Sequence, residues 1–246
     1  LHRVDRRQRQ MCIRDRTRAL FKLTAHGERP HVSEPRQTTP SVIASAHDPK
    51  QEGLASPGRT AKIDFALERR QPTLTVVLEN IHDPHNMNAI LRSCDAAGIL
   101  KVHLLYYIER FPSLNHVTSS GAYKWIDYER HTSVESCYAA LRAEGFRILA
   151  TKIDPTARAL FDHDLAAPTA IVMGNEHRGI SDAAAEQADE LVFIPMMGMA
   201  ESLNVSVATA VTLFEALRQR RARGAYDAPQ LSPDALRAKR LEWLLR

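Results

Sequence analysis

Short apolar runs separated by helical segments constrain this chain more than any other feature. The runs are Leu74–Leu78 (LTVVL), Lys101–Tyr107 (KVHLLYY), Phe146–Thr151 (FRILAT), Thr169–Met173 (TAIVM) and Leu191–Ile194 (LVFI). Each is short and nearly uniformly apolar, which suits strands buried on both faces. Helical segments lie between them: Asn86–Ala97, closed by Gly98; Val134–Glu144, closed by Gly145; and Ser181–Ala188. A glycine just past a helix supplies its left-handed cap. Strands alternating with helices imply an α/β fold, a parallel sheet covered on both faces. Trp125–Tyr128 reads as a further short strand and Phe111–Tyr123, with Ser119, Ser120 and Gly121, as a polar loop.

The stretch Ile194–Arg223 (IPMMGMAESLNVSVATAVTLFEALRQRRAR) follows the last run. Pro195 stops the strand, and a Gly/Met loop leads into a long helical pattern. Val205, Ala208, Val211, Phe214 and Leu217 fall at helical spacing, so that face is expected to be buried. Ser202 or Asn204 can cap the helix start. Arg218, Arg220, Arg221 and Arg223 crowd its end, where the dipole favours cations. A polar loop leaving a strand's carboxyl end for a helix N-terminus is where open α/β sheets bind ligands.

Charge is distributed unevenly. The net charge is +4, yet residues 1–20 carry +5 and residues 218–246 carry +5, leaving 21–217 at −6. Basic ends on an acidic centre point to a polyanionic partner such as nucleic acid, or to solvated arginines that aid solubility. Residues 1–16 have no apolar period and resemble a translated sequencing-adaptor read. Residues 24–60 are rich in Pro, Ser, Thr, Gly and His and cannot bury a core. Residues 1–59 are therefore expected to be disordered or non-native, with order beginning near Thr60. AKIDFALERRQ then reads as a short basic helix with Ile63 and Leu67 inward and Arg69 and Arg70 at its end. Residues 226–246 read as a basic helical extension, with Leu236, Leu241, Trp243 and Leu244 on one side. No run has membrane-spanning length, so a cytoplasmic protein is expected, with no membrane partner. Cys12, Cys94 and Cys137 have no metal-ligand spacing and read as reduced thiols, Cys94 as a small buried group.

Three strand ends carry candidate motifs. Asn80–Arg92 (NIHDPHNMNAILR) places Asn86 at a helix start and Arg92 nearly two turns further on. Asn86 as a plain N-cap with Arg92 on the surface is the competing reading. Gly174–Gly179 (GNEHRG) follows TAIVM directly, and its glycines permit close backbone approach to a ligand; an ordinary turn is the alternative. Ser202–Leu203–Asn204 is either a cap or part of a site. Met196, Met197 and Met199 could equally be core filler. Their joint presence at the ends of one sheet favours a site. GxGxxG, GxxxxGK[ST], GxSxG and HExxH are all absent.

NIHDPHNMNAILRSCDAAG, IVMGNEHRGIS and IPMMGMAESLNVSVATAVTLFEALRQR, in that order, resemble the three signature motifs of the SpoU branch of the SPOUT RNA methyltransferases. The likeness runs from about Ala66 to Asp227. ERRQPTLTVVLEN and QRRARGAYDAPQLSP further resemble bacterial tRNA (guanosine-18-2′-O)-methyltransferases. The resemblance implies a Rossmann-like parallel sheet with a C-terminal trefoil knot and flanking basic helices. It implies S-adenosylmethionine as cofactor, tRNA as partner, a homodimer and no metal. The methyltransferase domain would span residues 60–225.

Residue by residue, it implies catalytic roles for Arg92 at the ribose 2′-hydroxyl, Asn86 orienting it, Glu176, Ser202 and Asn204. Thr151, Gly174, Ile194, Met196 and Leu203 would line the cofactor pocket. Arg69, Arg70, Asn80, Arg218, Arg220 and Arg221 would contact RNA. A sulfonium methyl donor is already activated, so positioning supplies much of the catalysis. A guanidinium stays charged (pKa above about 12) and is an awkward base, so Arg92 is expected to stabilise the developing alkoxide and clamp a phosphate. Rival readings are a ribosomal-RNA enzyme, a wobble-position tRNA methylase and a non-catalytic RNA-binding module. Residues 1–59 are short and polar for a folded RNA-binding domain, and the basic flanks exceed those of minimal wobble-position enzymes.

Overall fold

The computed structural model describes residues 56–112 and 121–246. Cys12, Ser119, Ser120 and most of the segment read as disordered or non-native lie outside the described residues. Helix α1 (Pro57–Leu67) begins ahead of Thr60, because Ser56 caps it and Pro57 supplies a pre-set first helical residue. The strands are β1 (Leu74–Glu79), β2 (Lys101–Leu105), β3 (Asp127–His131), β4 (Arg147–Thr151), β5 (Arg158–Ala159), β6 (Thr169–Met173) and β7 (Glu190–Phe193). Their pairings are all parallel, in the order β3-β2-β1-β6-β4-β7-β5. The expected α/β sheet is therefore present. Residues 122–125 form a 3-10 turn rather than the start of a strand, and the two-residue β5 leaves no mark in the sequence pattern.

Alternation along each strand assigns its side chains to two cores. Val76, Leu78, Val102, Leu104, Ile171 and Met173 face one side, with α2 (Pro84–Ala97) and α5 (Val205–Ala222). Val77, Leu105, Ile148, Ala150, Ala170 and Val172 face the other, under α3 (Val134–Ala143) and α4 (Asp182–Gln187). A third cluster joins α1 to α6 (Pro233–Leu244) through Ile63, Leu67 and Trp243, so the C-terminal helix packs against the N-terminal one. From β1 the chain steps outward through β2 to β3, then returns across β1 to β4 and β6. Such a reversal opens a crevice beyond the strands' carboxyl ends.

Two helices differ from expectation. Helix α2 starts at Pro84, with Asp83 accepting the His85 N–H at 2.8 Å, so Asn86 is not the cap. An Asp–Pro pair suits cap and first position better than a later Asn does. Gly98 ends this helix at φ 84°; a side chain there would meet the Arg69 carbonyl oxygen at 2.6 Å. In α5 the fully buried residues are Thr209, Thr212, Leu213, Ala216 and Arg220. Val205, Ala208, Val211 and Leu217 only flank the core, and Phe214 is 50% exposed. The polar face can turn inward because Thr209 and Thr212 donate to the carbonyls of Val205 (2.7 Å) and Ala208 (2.9 Å).

Candidate active site at the carboxyl ends of the sheet

The loops leaving β1, β4, β6 and β7 surround a cleft of about 750 Å³. Glu176, on the loop after β6, organises it. Its Oε2 accepts the His82 N–H at 3.0 Å, and its Oε1 accepts the Asp83 N–H at 3.1 Å and Asn86 Nδ2 at 3.0 Å. Burial acts to raise the Glu176 pKa, but these donors outweigh it and hold the carboxyl below its usual range. The chain of contacts continues: Asn204 Nδ2 donates to Asn86 Oδ1 at 3.1 Å, and Asn204 Oδ1 caps α5 by accepting the Ser206 N–H at 2.9 Å. Because Asp83 does the capping of α2, the Asn86 amide is released to bridge Glu176 and Asn204.

The surrounding loops are braced by their own main chain. Asn175 pairs with Gly179 through both N–H···O bonds at 2.9 Å, and Asn175 Nδ2 donates to the Asn80 carbonyl at 2.7 Å. A side chain on Gly174 would lie 2.1 Å from the Gly179 carbonyl carbon, so the tight return of this loop requires glycine. Asn80 adopts φ 50°, and its Oδ1 accepts the N–H groups of Tyr107, Ile108 and Glu109 at 3.0–3.2 Å. Glu109 accepts Arg178 Nη2 at 2.7 Å and lies 3.2 Å from His82 Nδ1, contacts that depress its pKa. Among the expected cofactor residues, Thr151, Gly174, Ile194, Met196 and Leu203 all line the cleft. Thr151 Oγ1 donates to the Val172 carbonyl at 2.8 Å, which fixes the end of β4 against β6.

The sequence pattern described as the SpoU rRNA Methylase family matches residues 73–214. That is well over half the chain, and it contains every loop of the cleft.

This chain belongs to the SpoU rRNA methylase family.

Similarity to individual SpoU relatives extends further. A Thermus thermophilus protein named tRNA (guanosine(18)-2′-O)-methyltransferase is 44% identical over 186 residues, covering 76% of this chain and 95% of the relative. The crystal structure of the Aquifex aeolicus TrmH/SpoU tRNA modifying enzyme superposes with a TM-score of 0.72 at 35% identity, over 76% of this chain and 95% of that one. The SpoU methyltransferase AviRb from Streptomyces viridochromogenes, solved in complex with AdoMet, matches with a TM-score of 0.54 at 31% identity, over 63% of this chain and 59% of that one.

In this SpoU protein, Asn86, Glu176, Ser202 and Asn204 line the cleft, whereas Arg92 does not. Arg92 is exposed on α2, with no hydrogen-bond or ionic partner among the described residues. His82 also lines the cleft, as do Asp83, Lys152 and Arg178, to which motif reasoning gives no role there. The Asp83–Pro84 pair was the available signal for Asp83.

Three expected RNA contacts are corrected. Arg70, Arg220 and Asn80 are each at most 3% exposed. Arg70 pairs with Asp95, donates to the Ile99 carbonyl at 2.8 Å and lies over the Trp243 ring. Arg220 donates to the carbonyls of Leu165, Thr73 and Ala167 and to Thr73 Oγ1, at 2.8–3.0 Å. These donors are consumed inside the protein. Arg69, Arg218 and Arg221 remain at the surface; Arg69 stacks on Phe65, and Arg218 is held bidentately by Glu215.

Proposed function

We infer that the chain transfers the methyl group of S-adenosylmethionine to a ribose 2′-oxygen of tRNA, at the D-loop guanosine 18. The observation that carries this reading is the Glu176–Asn86–Asn204 bridge, which ties the three motif loops together along one cleft. The cleft's volume is within the range of small-molecule sites, and it combines an apolar wall (Ile194, Met196, Leu203) with polar main chain, a lining that fits an adenosyl and methionyl ligand. When bound, that ligand supplies an already activated methyl group. The protein's task is then to hold the accepting oxygen in line and to favour the charge that develops on it. Glu176 and Asn86 fix the β1 loop and the first turn of α2, which sets the direction of that helix and of Arg92 upon it. Arg92, unpaired among the described residues, is available to an RNA phosphate and to the 2′-oxygen. Arg92→Lys should lose most turnover, because one ammonium cannot reproduce a planar fork; near-normal turnover would refute the bidentate role.

The same reading includes a knotted C-terminal part, a catalytic unit at residues 60–225 with the 226–246 extension, and a cytoplasmic homodimer. Among the described residues no helix is long and apolar enough to cross a membrane. Met197, Met199, Val207 and Phe214 are exposed on the loop before α5 and on α5 itself, an apolar face that a second copy would cover. Arg69, Arg218 and Arg221 would meet tRNA phosphates. The name of the Thermus thermophilus relative supports tRNA; the family's description favours ribosomal RNA as the second reading. Methyl transfer from labelled cofactor to unmodified tRNA transcripts, with mapping of 2′-O-methyl positions, decides between them. One site at guanosine 18 is expected. Transfer to ribosomal RNA fragments alone would replace the substrate, and no transfer to any RNA would refute the catalytic reading.

A further inference from the structure

A second cluster of chemically capable side chains lies away from the cleft, on the opposite sheet face near the β3 edge. His103 on β2, His131 at the end of β3 and Cys137 on α3 are all buried. One potential ligand atom from each lies within 4.8 Å of the other two. His103 Nδ1 and His131 Nε2 are 3.0 Å apart. The Glu129 carboxylate is 3.9 Å from His103 Nδ1 and 3.6 Å from His131 Nε2. None of these residues lines the cleft.

We propose that His103, His131 and Cys137, with Glu129 as fourth ligand, form a structural site for a zinc-type divalent cation that pins α3 to the β2–β3 edge of the sheet.

The topology explains why these groups meet. In the parallel register His103 is opposite Glu129 and Leu105 is opposite His131, so alternation puts both histidines and the glutamate on one face. Helix α3 covers that face and drops Cys137 onto it. Spacing along the chain hides the group, because its members come from three successive elements.

The donor chemistry fits zinc. Two imidazoles, a thiol and a carboxylate form a borderline-soft, four-ligand set. Ligand lengths of about 2.0–2.3 Å give tetrahedral edges of roughly 3.3–3.6 Å. The His103–His131 contact would open by a few tenths of an ångström, the separations to Cys137 would close by up to about 1 Å, and one Glu129 oxygen would swing inward to complete the set. A neutral imidazole offers one ring lone pair, and His103 Nδ1 and His131 Nε2 face each other at 3.0 Å, so each ring would present that nitrogen to the cation. On binding, the thiol proton would leave to solvent and the sulfur would bind as thiolate. Thiolate and Glu129 then balance the cation's two charges. Lys101, which donates to Glu129 at 3.0 Å, keeps Glu144 as a second partner at 2.6 Å.

The full chain, stripped of metal with a chelator, should be titrated with cobalt(II) and then zinc(II). One equivalent of cobalt is expected to give a thiolate-to-metal charge-transfer band, which zinc abolishes. The band should vanish in Cys137→Ala and persist in Cys12→Ala and Cys94→Ala. Zinc should raise the melting temperature of the unsubstituted chain and not that of Cys137→Ala. If Cys137→Ala fails to fold, His131→Gln, at the strand's end, should lose the same band. No thiolate band, a band that follows Cys12, or one that survives both Cys137→Ala and His131→Gln would overturn the site. The test does not pass through methyl transfer, so it stands apart from the catalytic reading.

Discussion

Asn86 Nδ2 donates to Glu176 Oε1 at 3.0 Å across 90 residues of sequence, and Asn86 Oδ1 accepts from Asn204. Its amide therefore uses both ends, one on each neighbouring motif loop. Asn86→Ala would sever both bonds while leaving the Asp83 cap of α2 intact. Turnover should fall about 100-fold, since small displacements of positioning groups cost that much. Stability should fall only modestly, since the bond to Glu176 is part-buried and the bond to Asn204 is exposed. Steady-state kinetics beside a melting curve check this, and a variant that loses stability but keeps kcat would contradict it.

Glu176 makes the loop junction sensitive to acid. Its folded pKa is depressed, so its stabilising contribution is present above the usual carboxylate range and is lost as pH falls through the folded value. The melting temperature of the unsubstituted chain should exceed that of Glu176→Gln at neutral pH. The two curves should converge in acid below the carboxylate range. Curves that stay parallel throughout would show that the carboxylate charge contributes nothing.

The return of the loop after β6 depends on a missing side chain. In Gly174→Ala the new Cβ would sit 2.1 Å from the Gly179 carbonyl carbon and 2.2 Å from the Ile180 nitrogen. Both are backbone atoms and cannot swing aside. A cost of about 3 kcal/mol or more is expected, which corresponds to roughly 6–12 °C in melting temperature for a domain of this size. Cofactor binding should weaken as well, since the displaced loop carries Glu176. Calorimetry of the variant with and without S-adenosylmethionine measures both.

The sheet was legible because its strands are short, apolar and separated by glycine-closed helices, a pattern that has few other solutions. The three motif loops were legible for the same reason: each directly follows a strand. The inward face of α5 was not. Thr209 and Thr212 satisfy their hydroxyls on their own helix, and Arg220 spends its donors on segments more than 50 residues away. Periodicity counts those residues as polar and turns the helix the wrong way. The same blindness made Arg70 and Arg220 look like surface cations, since sequence records charge and not the acceptors that consume it.

The arginines therefore divide into two classes that experiment can separate. Arg220→Ala removes a buried guanidinium and strands the carbonyls of Leu165, Thr73 and Ala167, each buried acceptor costing about 1–3 kcal/mol. The variant should unfold at markedly lower denaturant. Arg218→Ala and Arg221→Ala remove exposed side chains, and the Glu215 carboxylate that Arg218 leaves keeps Gln219 Nε2 as a donor at 2.8 Å. Their melting curves should overlay that of the unsubstituted chain. If these exposed arginines meet phosphates, tRNA affinity should fall, and the slope of log K against log salt should shrink by about 0.7–0.9 for each phosphate no longer neutralised. Filter binding across a salt series reads the slope, and an unchanged slope in both variants would place the RNA path elsewhere on the surface.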